Sequence, residues 1–497
     1  GPAPAPAPSG GPAAAPAPSG AAPAALAATG RPTSVILFIT DGASYETWNI
    51  AGYWARGERD GAPWSAWPVR LGMTTYPLNT ERRPQHSGRP RVGYDPVRAW
   101  DTTLIAADDP PQPPAMPGAP ARRYPSPFAG YRWLKSDYTD SAAAGTALAS
   151  GIKTYNNAIS VDDFGRPVPL VTETAKAQGF ATGVVTSVPF THATPAVFGA
   201  NVTERDAYHE IGRQMLRGER LDVVAGAGHP DFDDDGRPRT RPDFTWVAPN
   251  DWADLKAGRL GRTLFESTAE IRALAEGRGV PPGRLAIVPR VGSTLQFRRD
   301  AKVAGPDPAN PSGAAFTRGL PDLSLLTLAA LERLGREPKG FFLMVEGGAV
   351  DWAAHANDTG RLIEEQLDFE RAVAAASRWL ARRGRLDRTL LIVLTDHGNG
   401  LPLGPESDRI AFQPVVNHGQ GRLPGVRWHS GTHTNENTRL WATGPYARCL
   451  ERWVVLRDPG LADIVRHNAD GATIDNTAIA PVMRAALTGG PCPDPGR

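Results

Sequence analysis

Three apolar runs in this chain each end on a carboxylate: SVILFIT runs into Asp41, GFFLMV into Glu346 and TLLIVLT into Asp396. Runs of Val, Ile, Leu and Phe without polar alternation read as strands buried on both faces, as in a parallel sheet covered by helices. In an open sheet of that kind the carboxyl ends of the strands gather along one edge, where ligands bind, so these side chains should converge. A lone Asp after a strand is ordinarily a turn former or a helix cap. Three that converge repel one another, and burying them is costly unless cations sit between them.

Five such runs stand out, at 34–40, 180–188, 221–225, 340–345 and 389–395, with helical patterns at 172–178, 320–334 and 363–382. Their alternation implies βαβ units and an α/β fold: a three-layer sandwich with a large, mainly parallel central sheet and helices on both faces. A composition that is 41% hydrophobic and 21% charged suits a substantial core. The 497 residues could hold two or three average domains, but one large sheet reaches the same size. The expectation is a single domain over 33–497, interrupted by irregular insertions at about 79–127, rich in Pro, Arg and Gly, and at 398–432.

Fifty-four Lys and Arg against 52 Asp and Glu leave a formal charge of +2, which gives no reason to expect nucleic acid as a partner. No stretch approaches the roughly 18 apolar residues of a membrane-spanning helix, so no transmembrane segment is expected. Residues 1–30 are almost wholly Pro, Ala, Gly and Ser without a charge, and the first residue is Gly1 rather than Met. That reads as a disordered tether over 1–32 following a cleaved export signal, which would place the protein in the periplasm or outside the cell. An arbitrary low-complexity terminus is the bland alternative. Cys449 and Cys492 fit export if they pair to pin the C-terminal tail, but two separate buried thiols are an open alternative.

In EGGAVDWAAHAND, Asp351 and His355 stand four residues apart just beyond Glu346, on one face of an expected helix. Alone, such a pair is an ordinary ion pair, but its position after Glu346 favours chelation, and Asp/His donors suit zinc. His397 directly follows Asp396, and HSGTHTNENTRLWATGP supplies His433, with His429 less favoured. In DYTDSAAAGTALASG, Ser141 opens an Ala-rich helix. Its hydroxyl would sit at the positive helix end, which stabilises an alkoxide and an incoming phosphate, although a plain N-cap serine looks the same.

The segment TDSAAAGTALASGIKTYNNAISVD resembles the nucleophile segment of alkaline phosphatases. GFFLMVEGGAVDWAAH, TDHGNG, THATPAVFGANVTER and HTNENTRLWATGP look like further blocks of that family, so the resemblance spans residues 35–447. It implies hydrolysis of small-molecule phosphate monoesters through a phosphorylated Ser141, with two zinc ions about 4 Å apart. One zinc would be held by Asp351, His355 and His433, the other by Asp41, Asp396 and His397 beside Ser141. A third site, normally magnesium, would use Asp41, Glu346 and Thr194. Arg205 matches the arginine that grips two phosphate oxygens. The family also suggests a homodimer.

Two positions depart from the best-known enteric bacterial pattern, which has Asp and Lys where this chain has His192 and Trp352 beside the phosphate. Losing a carboxylate should weaken magnesium at the third site, leaving room for zinc or cobalt, and losing an ammonium should speed phosphate release. Rival readings are a phosphodiesterase or phosphoglycerate mutase on the same metal core, disfavoured by Arg205, Glu346 and Thr194. A non-catalytic metal-binding surface protein is disfavoured by Ser141. The stretch DFDDDG at 231–236 opens like a calcium loop, but its twelfth position is Pro242 rather than Glu, so an acidic surface loop is expected there.

Overall fold

A computed structural model describes residues 32–113 and 120–496. The tether expected over 1–32 therefore lies, Pro32 apart, outside the described residues. Eight strands come first: β1 Ser34–Thr40, β2 Val69–Thr74, β3 Ala181–Pro189, β4 Val223–Ala227, β5 Arg262–Phe265, β6 Arg284–Ile287, β7 Phe341–Gly347 and β8 Thr389–Leu394. Four two-residue pieces follow, β9 Gly398–Asn399, β10 Pro402–Leu403, β11 Arg427–Trp428 and β12 His433–Thr434. The last three are β13 Thr438–Thr443, β14 Val454–Arg457 and β15 Ala472–Asp475.

Eleven of these strands form one sheet in the order β14-β15-β2-β13-β8-β1-β7-β3-β4-β6-β5. β13 runs against β2 and β8, and β14 against β15, while the other pairings are parallel. All five strands expected from the sequence are present, four of them with ends displaced by a residue or two. The others escaped notice because β5, β6, β14 and β15 span only four residues each, and β2 and β13 carry Arg, Gly and Thr within them.

Alternate residues of β1 enter opposite cores. Val35, Leu37 and Ile39 pack with Leu148, Val171, Phe198 and Ile479, whereas Ile36 and Phe38 pack with Leu326, Leu331, Phe369 and Trp379. The first face carries the helices Ser141–Ser150, Val171–Ala177 and Ile479–Thr488, and the second carries Leu323–Leu334 and Thr359–Arg382. Burial on both sides explains the lack of polar alternation, each large apolar side chain contributing roughly 1.5–3 kcal/mol.

The described residues of 79–127 hold one short helix, Pro96–Ala99, and isolated bridges such as Gln112 with Arg122. Cys449 and Cys492 form a disulfide that ties the C-terminal tail to the segment before β14. Among the described residues, no helix is long and apolar enough to cross a membrane. The 231–236 loop keeps its carboxylates for itself and its neighbours: Asp233 accepts from the amides of Asp235 and Arg237, and Asp234 from Ser293.

Candidate active site

The centre of the sheet sets the spacing of the carboxylates. Ile39 of β1 is level with Glu346 of β7 on one side and Leu394 of β8 on the other, so Asp41 and Asp396 each lie two residues further along adjacent strands. Thr186 of β3 is paired with Glu346, and its hydroxyl donates to Glu346 Oε2. Gly42 then turns the chain with φ of +67°, and a Cβ there would lie 2.5 Å from Asp351 Oδ1. Glycine is required for Asp351 to approach Asp41 this closely.

β7 leads directly into the helix Ala349–His355, whose single turn presents Asp351 and His355 together. His355 Nε2 lies 3.4 Å from Asp351 Oδ2, and His433 Nε2 lies 3.3 Å from Asp351 Oδ1. The two imidazole Nε2 atoms are 3.1 Å apart. His433 arrives on β12, which pairs with β9, the strand just after His397. From the other side, His397 Nε2 is 3.5 Å from Asp41 Oδ1 and 3.4 Å from Asp396 Oδ2. Thr194 Oγ1 donates to Asp41 Oδ2 at 3.1 Å.

All four carboxylates are buried, with Asp41, Glu346, Asp351 and Asp396 exposing 2, 0, 6 and 0% of their surface. Burial, reinforced by Asp396, Asp351 and Glu346, pushes Asp41 well above the usual carboxylate range, and burial with Asp351 raises Asp396. Burial outweighs the hydrogen bonds of Thr186, Asp41 and Thr194 to keep Glu346 raised as well. For Asp351 burial pulls the same way, but the imidazoles of His355 and His433 overturn it and hold the group well below the ordinary value. Among the described residues, Glu346 Oε1 and Asp396 Oδ2 are buried without a hydrogen-bond partner. Donor atoms of Asp41, Asp396 and His397 lie within 4.8 Å of one another, as do those of Asp351, His397 and His433. A crowd of acids that lack enough donors has the chemistry of a cation site: it is satisfied by divalent metal and by little else.

Ser141 is not the cap of its helix. Asp140 is the N-cap and accepts the amide of Ala143 at 2.9 Å, so Ser141 is the first helical residue and its hydroxyl is left for the cluster. Ser141 Oγ lies 2.9 Å from His397 Nε2 and 3.4 Å from Asp41 Oδ1. Small side chains let this fully buried helix pack closely among its neighbouring helices; Gly145 meets Val197 at the end of the short helix Ala193–Ala196. Asp140 Oδ2 also pairs with Arg205 Nη1 at 3.2 Å. Burial opposes the charge on Arg205, but Asp140 and Tyr208 more than restore it.

A cavity of about 720 Å³ opens over Ser141, lined by Arg205, His192, Trp352, Asp351, His355 and His433. The His192 and Trp352 rings are 5.6 Å apart. Burial and Arg205 lower His192 to about 3, so the imidazole is neutral, and its Nδ1 has no hydrogen-bond partner among the described residues. The predicted residues thus meet in one place. His429 does not join them, being hydrogen-bonded to Ser407 Oγ at 2.7 Å.

The sequence reading passed over Asp140, Thr186 and Asn399, although TDS and TDHGNG were in view. Asn399 Nδ2 donates to Asp351 Oδ1 at 2.7 Å, and only its closeness in sequence to His397 could have signalled this.

The profile of the alkaline phosphatase family matches residues 129–269 and 290–423. Alkaline phosphatase 4 of Bacillus subtilis (strain 168) is 36% identical over 267 residues, 53% of this chain and 50% of that protein, so the chain spans about half the length of this relative. Streptomycin-6-phosphate phosphatase of Streptomyces griseus is 34% identical over 388 residues, 70% of this chain and 78% of that one. The fold matches alkaline phosphatase from the Antarctic bacterium TAB5 with a TM-score of 0.59 at 21% identity, over 93% of this chain and 99% of that one. The Thermus thermophilus enzyme gives 0.58 at 20% identity, over 95% of each chain. With a matching profile over more than half its length and this arrangement of buried acids, imidazoles and serine at the sheet edge, the chain belongs to the alkaline phosphatase family.

Proposed function

We propose that this protein hydrolyses phosphate monoesters to an alcohol and inorganic phosphate through a phosphoserine at Ser141, residues 33–497 acting as one catalytic domain. The observation that carries this reading is the Ser141 hydroxyl, at a helix N-terminus 2.9 Å from His397 Nε2 and sharing a cavity with Arg205. The donor set suits two zinc ions, one on Asp351, His355 and His433 and one on Asp41, Asp396 and His397. The oxygen-rich set of Asp41, Glu346 and Thr194 suits a third, magnesium-type ion, with zinc or cobalt as substitutes. A His→Asp variant of the TAB5 enzyme binds magnesium in its M3 site. Bound metal would supply Lewis-acid charge on both sides of the transferring phosphoryl group.

The chain's own residues account for the rest. Arg205, kept charged and aimed by Asp140, grips two non-bridging oxygens and turns phosphorus toward Ser141. The helix N-terminus favours the alkoxide form of Ser141. The Oγ–P bond forms as the ester O–P bond breaks and the alcohol leaves. Water then attacks the phosphoserine, returning the Ser141 oxygen and releasing phosphate. His192 and Trp352 place no charge beside that product, which favours its departure.

The Cys449–Cys492 bond supports an exported, periplasmic or extracellular setting. Assay with p-nitrophenyl phosphate and its bis-ester, together with acid trapping of labelled phosphoserine, tests the reaction. The expected result is monoester turnover that falls on the order of 10³-fold or more in Ser141→Ala, with no trapped label. Preferred hydrolysis of the bis-ester, or undiminished turnover in the variant, would overturn it.

A further inference from the structure

The cavity over Ser141 has an unusual outer wall. Tyr208 and Trp246 are in edge-to-face contact with ring centres 4.7 Å apart, and His192 lies 6.5 Å from Tyr208, 6.3 Å from Trp246 and 5.6 Å from Trp352. Tyr208, Trp246 and Trp352 are each half-buried, so the rings are packed from behind yet open to the cavity. They are also held in place: Thr191 Oγ1 donates to the Trp246 carbonyl at 2.8 Å, and the Tyr208 hydroxyl meets Asp206 Oδ1 at 3.3 Å. At the far end the Arg298 guanidinium lies 4.9 Å from the Trp352 ring centre.

This wall lines the same cavity as Ser141 and Arg205, on the side away from the buried acids, with Tyr208 opening the helix Tyr208–Arg217 three residues after Arg205. Release of phosphate needs no such surface, since phosphate has nothing to stack. Rigid aromatic faces do bind flat rings, whatever the ring's hydrogen-bonding edge.

We propose that Tyr208 and Trp246, continued by Trp352 and Arg298, form a stacking platform that makes phosphate monoesters with a flat aromatic group the preferred substrates. The inference rests on the phosphomonoesterase reading above. Aryl phosphates and nucleoside 5′-monophosphates share the required ring.

The test compares kcat/KM of the metal-loaded enzyme for AMP, phenyl phosphate and glycerol 2-phosphate in wild type, Trp246→Ala, Tyr208→Leu and Trp246→Phe. Trp246→Ala and Tyr208→Leu should lower the ratio of AMP to glycerol 2-phosphate about tenfold, chiefly through KM, while Trp246→Phe keeps most of it. Phenyl phosphate should follow AMP. An unchanged ratio in both platform variants overturns the proposal. Glycerol 2-phosphate turnover by the wild type tests the phosphatase reading separately. AMP binding to metal-loaded Ser141→Ala, read as quenched tryptophan fluorescence that weakens in Ser141→Ala/Trp246→Phe, tests the platform without turnover. AMP that binds no more tightly there than glycerol 2-phosphate counts against it.

Discussion

Gln112 accepts the backbone N–H of Gly431 through its Oε1 at 2.7 Å, fastening the 79–127 insertion to the loop that carries His433. The Gly431 carbonyl in turn lies 2.9 Å from His355 Nδ1 and fixes that ring. Gln112 Nε2 also donates to Ser430 Oγ at 3.1 Å, and the Tyr124 hydroxyl to Asn357 Oδ1 at 2.7 Å. An insertion opaque in sequence thereby helps to orient the His355 imidazole, while the His433 ring is held by the Thr139 carbonyl.

Partners that orient metal-binding imidazoles typically control affinity by 10–100-fold. Gln112→Ala should weaken zinc retention against a chelator roughly tenfold, read as metal content at increasing chelator concentration, with the other ions less affected. Retention equal to wild type would show that the loop is held without it.

Restoring charge beside the phosphate should slow its release. His192 is neutral and Trp352 apolar, so the double change His192→Asp, Trp352→Lys adds a carboxylate near the third site and an ammonium near the product. Inhibition by inorganic phosphate should tighten about tenfold or more. An unchanged inhibition constant would contradict the role assigned to the two residues.

Glu365, 5% exposed on the helix Thr359–Arg382, is raised to about 8 by burial, with Asp368 and Glu364 adding to it and Arg299 and Arg371 offsetting only part. Unfolded, it titrates near about 4.3. Below that pH both states hold the proton and the full stability is present. As pH rises towards 8 the folded chain keeps a proton the unfolded chain has lost, so stability falls, and above 8 the loss is complete. Glu365→Gln should therefore match wild type in melting temperature near pH 4 and exceed it at pH 9, by a free energy of about 5 kcal/mol. Identical curves at pH 9 would refute the assignment.

The Cys449–Cys492 bond closes a loop across 43 positions. On a chain-entropy basis such a link contributes up to about 4 kcal/mol. The double change to Ser should lower the denaturant midpoint, reductant should do the same to wild type, and reductant should leave the variant unmoved. A midpoint insensitive to both would show that the tail is held by packing alone.

Much of the site was legible because its residues terminate unmistakable strands: Asp41, Glu346 and Asp396 each follow an apolar run, and a buried sheet fixes where such runs end. Asp351, His355 and His433 needed local spacing and motif resemblance as well. Asp140 was passed over because an Asp before an Ala-rich helix is the ordinary signal of a cap, and here it does serve as one. That the same carboxylate would also hold Arg205, 65 positions away, depends on tertiary contact that no local pattern carries. The short strands at the two ends of the sheet, β5 with β6 and β14 with β15, were missed for a related reason. Four residues give too short a run to show a period, and the long sheet beside them supplies the partner that makes them strands.

The pairing of Ile39 with both Glu346 and Leu394 has a wider meaning. Main-chain hydrogen bonds in the middle of the protein are the ruler by which its reactive groups are spaced. Sliding β7 past β1 by a single position would turn Glu346 away to the opposite face and strand the remaining acids without their third neighbour. Correct threading of these few strands and the capacity to hold several cations at once are thus a single event, so surface loops are free to diverge where the central register is not.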